Sequence, residues 1–277
     1  FLTAMEFTTL LRRAAPRLGI EDPERFAPAT KVDATPKQTR TAGASADTDG
    51  FIGAVADRPL LLWPLDEARY ETVTELAALD RWIAQGLEAG VLGLDVEADS
   101  TDPMAARLTG IALSPGPGMA CYVPLGHHAD GMLDLAGDSP TQIAEKDALD
   151  RLRPILEDGA IVKYGHNVKL AIVLFAQRGI SLKAFDDPML MSYVLDSGLN
   201  GHGLEELAEI HLGQKLASLA ELAGKGREKI TFAQFGIPEA AHYAAARADM
   251  TLRLARLLRP RLLSEHPGCA QGECTPA

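Results

Sequence analysis

Residues 91–97 read VLGLDVE, a short aliphatic run that ends in two carboxylates, Asp95 and Glu97. Side chains two apart in a strand point to the same face, so this pair stands side by side at the strand's C-terminal end. Before the run, residues 74–90 place Leu76, Leu79, Trp82, Ile83 and Leu87 on one helical face, with Gly90 as the stop. After it come RLTGIALSPGPG and MACYVPLGHH, two strand-like stretches joined by a Gly-Pro turn. Three consecutive strands of this kind form an antiparallel meander. Further on, the periodicity predicts helices over 141–156 and 167–177, a buried strand over 161–164, and a long helix from about Pro238. Strands followed by alternating helices and strands give an α/β fold with a mixed sheet.

Two adjacent carboxylates repel, and burying both is costly unless a cation neutralises them. A divalent metal is one partner for the pair; a solvated acidic strand end is the alternative. The 277 residues are 47% hydrophobic and 23% charged, enough for one substantial domain and a smaller appendage. The net charge of -11 excludes a whole-surface attraction to nucleic acid. It leaves open an acidic site whose bound cations meet a phosphodiester. No apolar stretch is long enough to span a bilayer and the start lacks a secretory pattern, so the expectation is a cytoplasmic protein without a membrane partner. Cys121, Cys269 and Cys274 are expected as reduced thiols, with metal ligation by Cys269 and Cys274 as the alternative.

Composition divides the chain into residues 1–20, a short amphipathic helix around Leu2, Met5, Leu10 and Leu11; residues 21–59, a flexible linker rich in Pro, Ala, Thr, Asp and Gly; residues 60–265, the folded part; and a disordered tail at 266–277.

Several segments in order resemble the 3′-to-5′ exonuclease domain of the family A DNA polymerases. GLDVEADSTDPMAARLTGIALSPGPGMACYVPLGH is similar to the family's first motif, built on Asp-x-Glu. VKYGHNVKLAIVLFAQRGI resembles the second, with Asn167 and Lys169 at its Asn-x-Lys-x-Asp positions. HYAAARADMTLRL resembles the third, Tyr-x-x-x-Asp, and FDDPMLMSYVLDSG, HGLEELAEIHLG and AGKGREKITFAQF resemble the stretches between. The resemblance implies a ribonuclease H-like mixed sheet, three antiparallel strands and then alternating helices and strands, in the DnaQ-like exonuclease fold. It also implies Mg²⁺ or Mn²⁺ as cofactor, the 3′ end of single-stranded DNA as partner, and a polymerase domain in cis. Residues 1–20 would then be the C-terminal remnant of a 5′-nuclease-like region.

The family's chemistry is two-metal phosphodiester hydrolysis, with four carboxylates holding both ions. Asp95, Glu97 and Tyr243 keep the family's residues. The other two carboxylate positions fall on Ala171 and Arg247. Arg247 lies four residues after Tyr243 on the same helical face, and its permanent charge repels a divalent ion. It either pairs with Asp95 or Glu97 in place of the metal or extends to solvent. Two further positions that resemble nucleotide contacts, usually Thr and Leu, are Ala98 and Thr101. His166, Asn167 and Lys169 are candidates to touch a nucleotide or phosphate; each also reads as a packed or exposed residue. Among other acids, Asp249 faces away from the site, Asp186 and Asp187 read as helix-start residues, and Asp99 and Asp102 lie in a turn. His127 and His128 read as loop residues.

The expectation is an exonuclease-type domain that has lost catalysis and keeps a structural or nucleic-acid-binding role. The alternatives are an active metal-dependent 3′-to-5′ exonuclease on single-stranded DNA and a ribonuclease D-like RNA trimmer.

Overall fold

The computed structural model describes residues 61–62, 64–65, 68–100, 102–128, 141–223 and 230–265. The expectations for residues 1–20, 21–59 and 266–277, and for Thr101, lie outside the described residues. Six strands form one mixed sheet: β1 (Arg69–Thr72), β2 (Val91–Ala98), β3 (Leu108–Gly116), β4 (Met119–Pro124), β5 (Val162–Gly165) and β6 (Phe185–Asp186), in the order β1-β4-β3-β2-β5-β6. The predicted meander is present, β2 pairing antiparallel with β3 and β3 with β4. β5 adds parallel to β2, β6 parallel to β5, and β1 parallel to β4. β1 is missing from the sequence expectations. Its four residues, RYET, are all exposed or half-buried and show no apolar alternation.

One face of β2 carries Leu92, Leu94 and Val96 into the main core, against Leu79 and Trp82 of α1 (Leu76–Ala89) and Leu149, Leu152 and Ile155 of α2 (Glu145–Glu157). Burying an aliphatic side chain of this kind contributes about 1.5–3 kcal/mol. Gly90, at φ 68°, ends α1 as predicted. Leu87 does not join the core: it is exposed, and Gly86 takes the buried position. A Cβ on Gly86 would come within 3.0 Å of Ile155 Cδ1 and 3.1 Å of Leu92 Cδ1, so a larger residue there requires those side-chain ends to shift.

The other face of β2 presents Gly93, Asp95 and Glu97 toward α7 (Ile237–Glu265). A Cβ on Gly93 would meet the Ala248 carbonyl oxygen at 2.4 Å, so the backbones of strand and helix nearly touch. Ala240, Ala241, Ala244 and Ala248 allow the same close approach over Ala112 and Tyr122. The small-residue seam sets the helix down flat on the sheet and carries Tyr243 and Arg247 to the carboxylate end of β2.

Three helices close that end: α3 (Lys169–Gln177), α4 (Pro188–Asp196) and α5 (Leu204–Leu212), with the short α6 (Leu219–Leu222) nearby. The helix predicted from Asn167 starts at Lys169 instead. Asn167 is left-handed, at φ 53°, and its N–H and that of Val168 donate to the Asp187 carboxylate at 3.0 and 3.1 Å. Asp187 also accepts from the Met189 N–H at 2.9 Å, so one carboxylate caps α4 and holds the turn that leads into α3. Among the described residues no helix is long and apolar enough to cross a membrane.

Candidate functional site

Asp95 and Glu97 lie at the C-terminal end of β2, opposite Ala112 and Gly110 of β3, and a register irregularity follows Glu97. They form the floor of a cavity of about 460 Å³, walled by the β5–α3 turn, α4, the start of α5, α6 and α7. Arg247 enters from α7. Its Nε stands 3.5 Å from Asp95 Oδ2 and 3.9 Å from Glu97 Oε1, and its Nη1 donates to Glu205 Oε1 at 2.8 Å. Its guanidinium carbon is 5.2 Å from the centroid of the Tyr243 ring. The guanidinium therefore sits between the two β2 carboxylates and a third acid on α5, and does not extend to solvent.

The electrostatics follow from burial. The Glu97 carboxyl is held well above the usual carboxylate range, first by loss of water and then by the neighbouring Asp95 charge, with Arg247 pulling the other way. Burial alone would lower the affinity of Arg247 for its proton, but the Asp95, Tyr243, Glu97 and Glu205 groups outweigh it and the guanidinium stays charged. Asp95 Oδ2 is buried without a hydrogen-bond partner among the described residues, so its contact with Arg247 is a charge interaction alone. Burial also raises the Tyr243 phenol and lowers the His166 imidazole, leaving both neutral near pH 7.

These residues do not fit a two-metal site. Ala171 presents a methyl group that belongs to the main hydrophobic core. The space between Asp95 and Glu97 is met by a permanent cation. Among the described residues no group of three or more His, Cys, Asp or Glu is arranged to hold an ion.

The other predicted positions divide. His166 and Asn167 line the cavity; Lys169 is exposed and Ala98 packs against the core, and neither is part of the lining. Asp249 faces away, fully buried in a pair with Arg253. Asp186 meets Arg259 at 3.5 Å, and Asp99 and Asp102 bond backbone N–H groups of their own loop. His127 is a loop residue, as expected, and one enclosed by the fold. It is buried, donates through Nδ1 to the Phe235 carbonyl, and accepts from the Tyr122 hydroxyl at 2.7 Å. Burial lowers its affinity for a second proton. Sequence reasoning missed Glu205, Tyr193 and His202. The stretch HGLEELAEIHLG was singled out, but nothing in it marks which of its acids turns toward residue 247.

Comparison with known proteins identifies the family and the fold. Residues 70–263 match the 3′-5′ exonuclease family of the A-type DNA polymerases. DNA polymerase I of Rhizobium leguminosarum is 35% identical over 305 aligned positions, which cover 95% of this chain and 30% of the polymerase. The chain thus spans less than a third of that relative's length. Among solved structures, Brucella melitensis NrnC superposes with a TM-score of 0.53 at 18% identity, over 75% of this chain and 87% of its own. Trypanosoma brucei RNase D in complex with RNA U12 gives 0.53 at 17% identity, over 74% and 65%. Both share the ribonuclease H-like, DnaQ-type fold. A family match across most of the described domain, on the sheet order and motif placement found above, makes this chain a member of the 3′-5′ exonuclease family of the A-type DNA polymerases.

Proposed function

We propose that this domain, part of a DNA polymerase I-type protein, has lost phosphodiester hydrolysis and serves a structural and nucleic-acid-holding role beside a polymerase domain in cis. The observation that carries the proposal is Arg247, held among Asp95, Glu97 and Glu205 where the family resemblance implies a metal-holding carboxylate. Two-metal hydrolysis needs one ion to activate water and one to stabilise the leaving oxygen. A guanidinium does neither, because it exchanges no ligand and cannot lower the pKa of a bound water to near neutrality. Ala171 removes a further ligand position. The polymerase partner is suggested by the Rhizobium relative, and an affinity for single strands by the RNA held in the RNase D neighbour.

The test is degradation of 5′-labelled single-stranded DNA with Mg²⁺ or Mn²⁺. This chain leaves the strand intact, whereas an Ala171→Asp/Arg247→Asp double variant trims it from the 3′ end. Trimming by the parent that disappears in Asp95→Ala contradicts the proposal and restores the active-exonuclease reading, which the retained Asp95, Glu97 and Tyr243 favour. A preference of that parent for RNA over DNA ends points instead to a ribonuclease D-like activity.

A further inference from the structure

The last turn of α5 carries His211, whose side chain is buried at 7% exposure. Neither Nδ1 nor Nε2 has a hydrogen-bond partner among the described residues. On the same helix Leu204, Leu207 and Leu212 join Met250 and Leu254 of α7 in one apolar cluster. The charged groups that face the His211 ring are Asp196, at the end of α4, and Arg261 of α7. Those two are already paired. Arg261 Nη1 donates to Asp196 Oδ2 at 3.2 Å and Nη2 to Oδ1 at 3.4 Å, while Arg261 Nε donates to Glu265 at 3.0 Å.

A buried imidazole that makes no hydrogen bond stabilises less than a leucine in the same place, so packing alone does not account for it. A positive charge in the last turn of a helix is usually favoured by the helix dipole. Here loss of water outweighs that, and the ring holds a second proton less firmly than an exposed histidine does. We infer that His211 is an acid-sensitive latch: its neutral ring closes the junction of α4, α5 and α7, and its protonation sets a cation beside Arg261, with Asp196 already engaged, and releases the C-terminal end of α5. Well above pH 6.5 the ring is neutral whether the helix is docked or released. Below it the released helix takes up a proton that the docked one refuses, so release becomes easier as pH falls, by up to about tenfold per pH unit. α5 also carries Glu205, whose bond to Arg247 spans the cavity, so release at His211 loosens that wall too. The latch is independent of whether the cavity hydrolyses or holds nucleic acid.

The experiment is amide hydrogen exchange of the full chain at pH 7.5 and 5.5, each rate divided by the amide's intrinsic rate at that pH. Across this interval a ring that titrates near 6.5 only when released makes opening of α5 about tenfold easier. Wild-type α5 therefore loses about tenfold in protection, and at pH 5.5 its amides exchange faster than those of β2. His211→Leu, which cannot titrate, removes that tenfold loss. An equal loss in His211→Leu overturns the latch and assigns the acid sensitivity to other groups. Exchange of α5 no faster than that of β2 overturns it too, because the charge then unfolds the domain as a whole. The imidazole resonances of His211 in the wild type give a reading that needs no variant: a midpoint below 6.5 supports the latch, and one at or above 6.5 overturns it.

Discussion

Arg247 and Glu205, 42 residues apart in the chain, are joined by a 2.8 Å hydrogen bond that ties α7 to the first turn of α5 across the cavity. The same guanidinium neutralises Asp95 and Glu97 from its Nε side. Arg247→Met leaves the two β2 carboxylates buried without a counter-charge, and lowers unfolding stability at neutral pH by about 3 kcal/mol. Glu205→Gln removes only the more exposed partner and costs about 1 kcal/mol or less. Urea unfolding of the two variants checks the order; equal losses would show that Glu205, rather than the β2 pair, is the main anchor.

A second buried pair has no part in the site. Asp249 and Arg253 are fully buried, with Arg253 Nε donating to Asp249 Oδ1 at 2.8 Å, and Asp249 also accepts from the Tyr70 hydroxyl and the Gly118 N–H. It fastens edge strand β1 and the β3–β4 turn to α7. Asp249→Ala removes the buried carboxylate paired with Arg253 and costs about 3–5 kcal/mol. Tyr70→Phe removes one hydrogen bond to a charged group and costs about 1.5–3 kcal/mol. Thermal or urea unfolding measures both, and a Tyr70→Phe variant as stable as wild type would remove β1 from the anchoring role.

Lys163 lies buried in β5, where Nζ donates to the Ile155 and Asp158 carbonyls at 3.3 and 2.7 Å. Burial lowers its pKa from 10.5 to about 8. Below about pH 8 the folded and unfolded chains both hold the proton, and the cost of the buried charge is present in full. Between about 8 and 10.5 the unfolded chain still holds a proton that the folded chain has released, so this group makes stability rise with pH. The buried Cys121 thiol, raised by loss of water, contributes in the opposite direction as pH passes its ordinary value. The difference between wild type and Lys163→Met isolates the lysine. Urea midpoints should favour wild type more at pH 9.5 than at pH 7.5, and a difference independent of pH would refute the shift.

Gly93 links the fold to the site. A Cβ there would lie 2.4 Å from the Ala248 carbonyl oxygen, a backbone atom that cannot move without the helix. Gly93→Ala therefore destabilises the protein by about 1–3 kcal/mol and displaces α7 from β2. Neutral stability in this variant would mean that the seam is looser than the geometry implies.

The sequence made the central strands and most helices legible because alternation, apolar faces and stop glycines are local signals, as at β2 and Gly90. β1 was hidden by its half-exposed edge position, which removes the alternation that marks a strand. The Asp95–Glu97 pair and Arg247 were legible because strand and helix periodicity fix where such side chains point. Glu205 was not, since its contact with Arg247 depends on how α5 packs against α7 and on no short-range pattern. The same reason hid the burial of His127, which Phe235 and Tyr122 enclose from distant and near parts of the chain. Asp187 was read as a helix cap, but its second task, fixing the left-handed turn at Asn167, needs the neighbouring strands in place.

The proposed loss of catalysis requires that Arg247 stand where a divalent ion would otherwise be held. Mn²⁺ binding followed by electron paramagnetic resonance tests it without reference to turnover. The wild-type chain should leave Mn²⁺ free in solution at concentrations where the Ala171→Asp/Arg247→Asp variant binds it. Tight Mn²⁺ binding by the wild type, abolished by Asp95→Ala, would contradict the account.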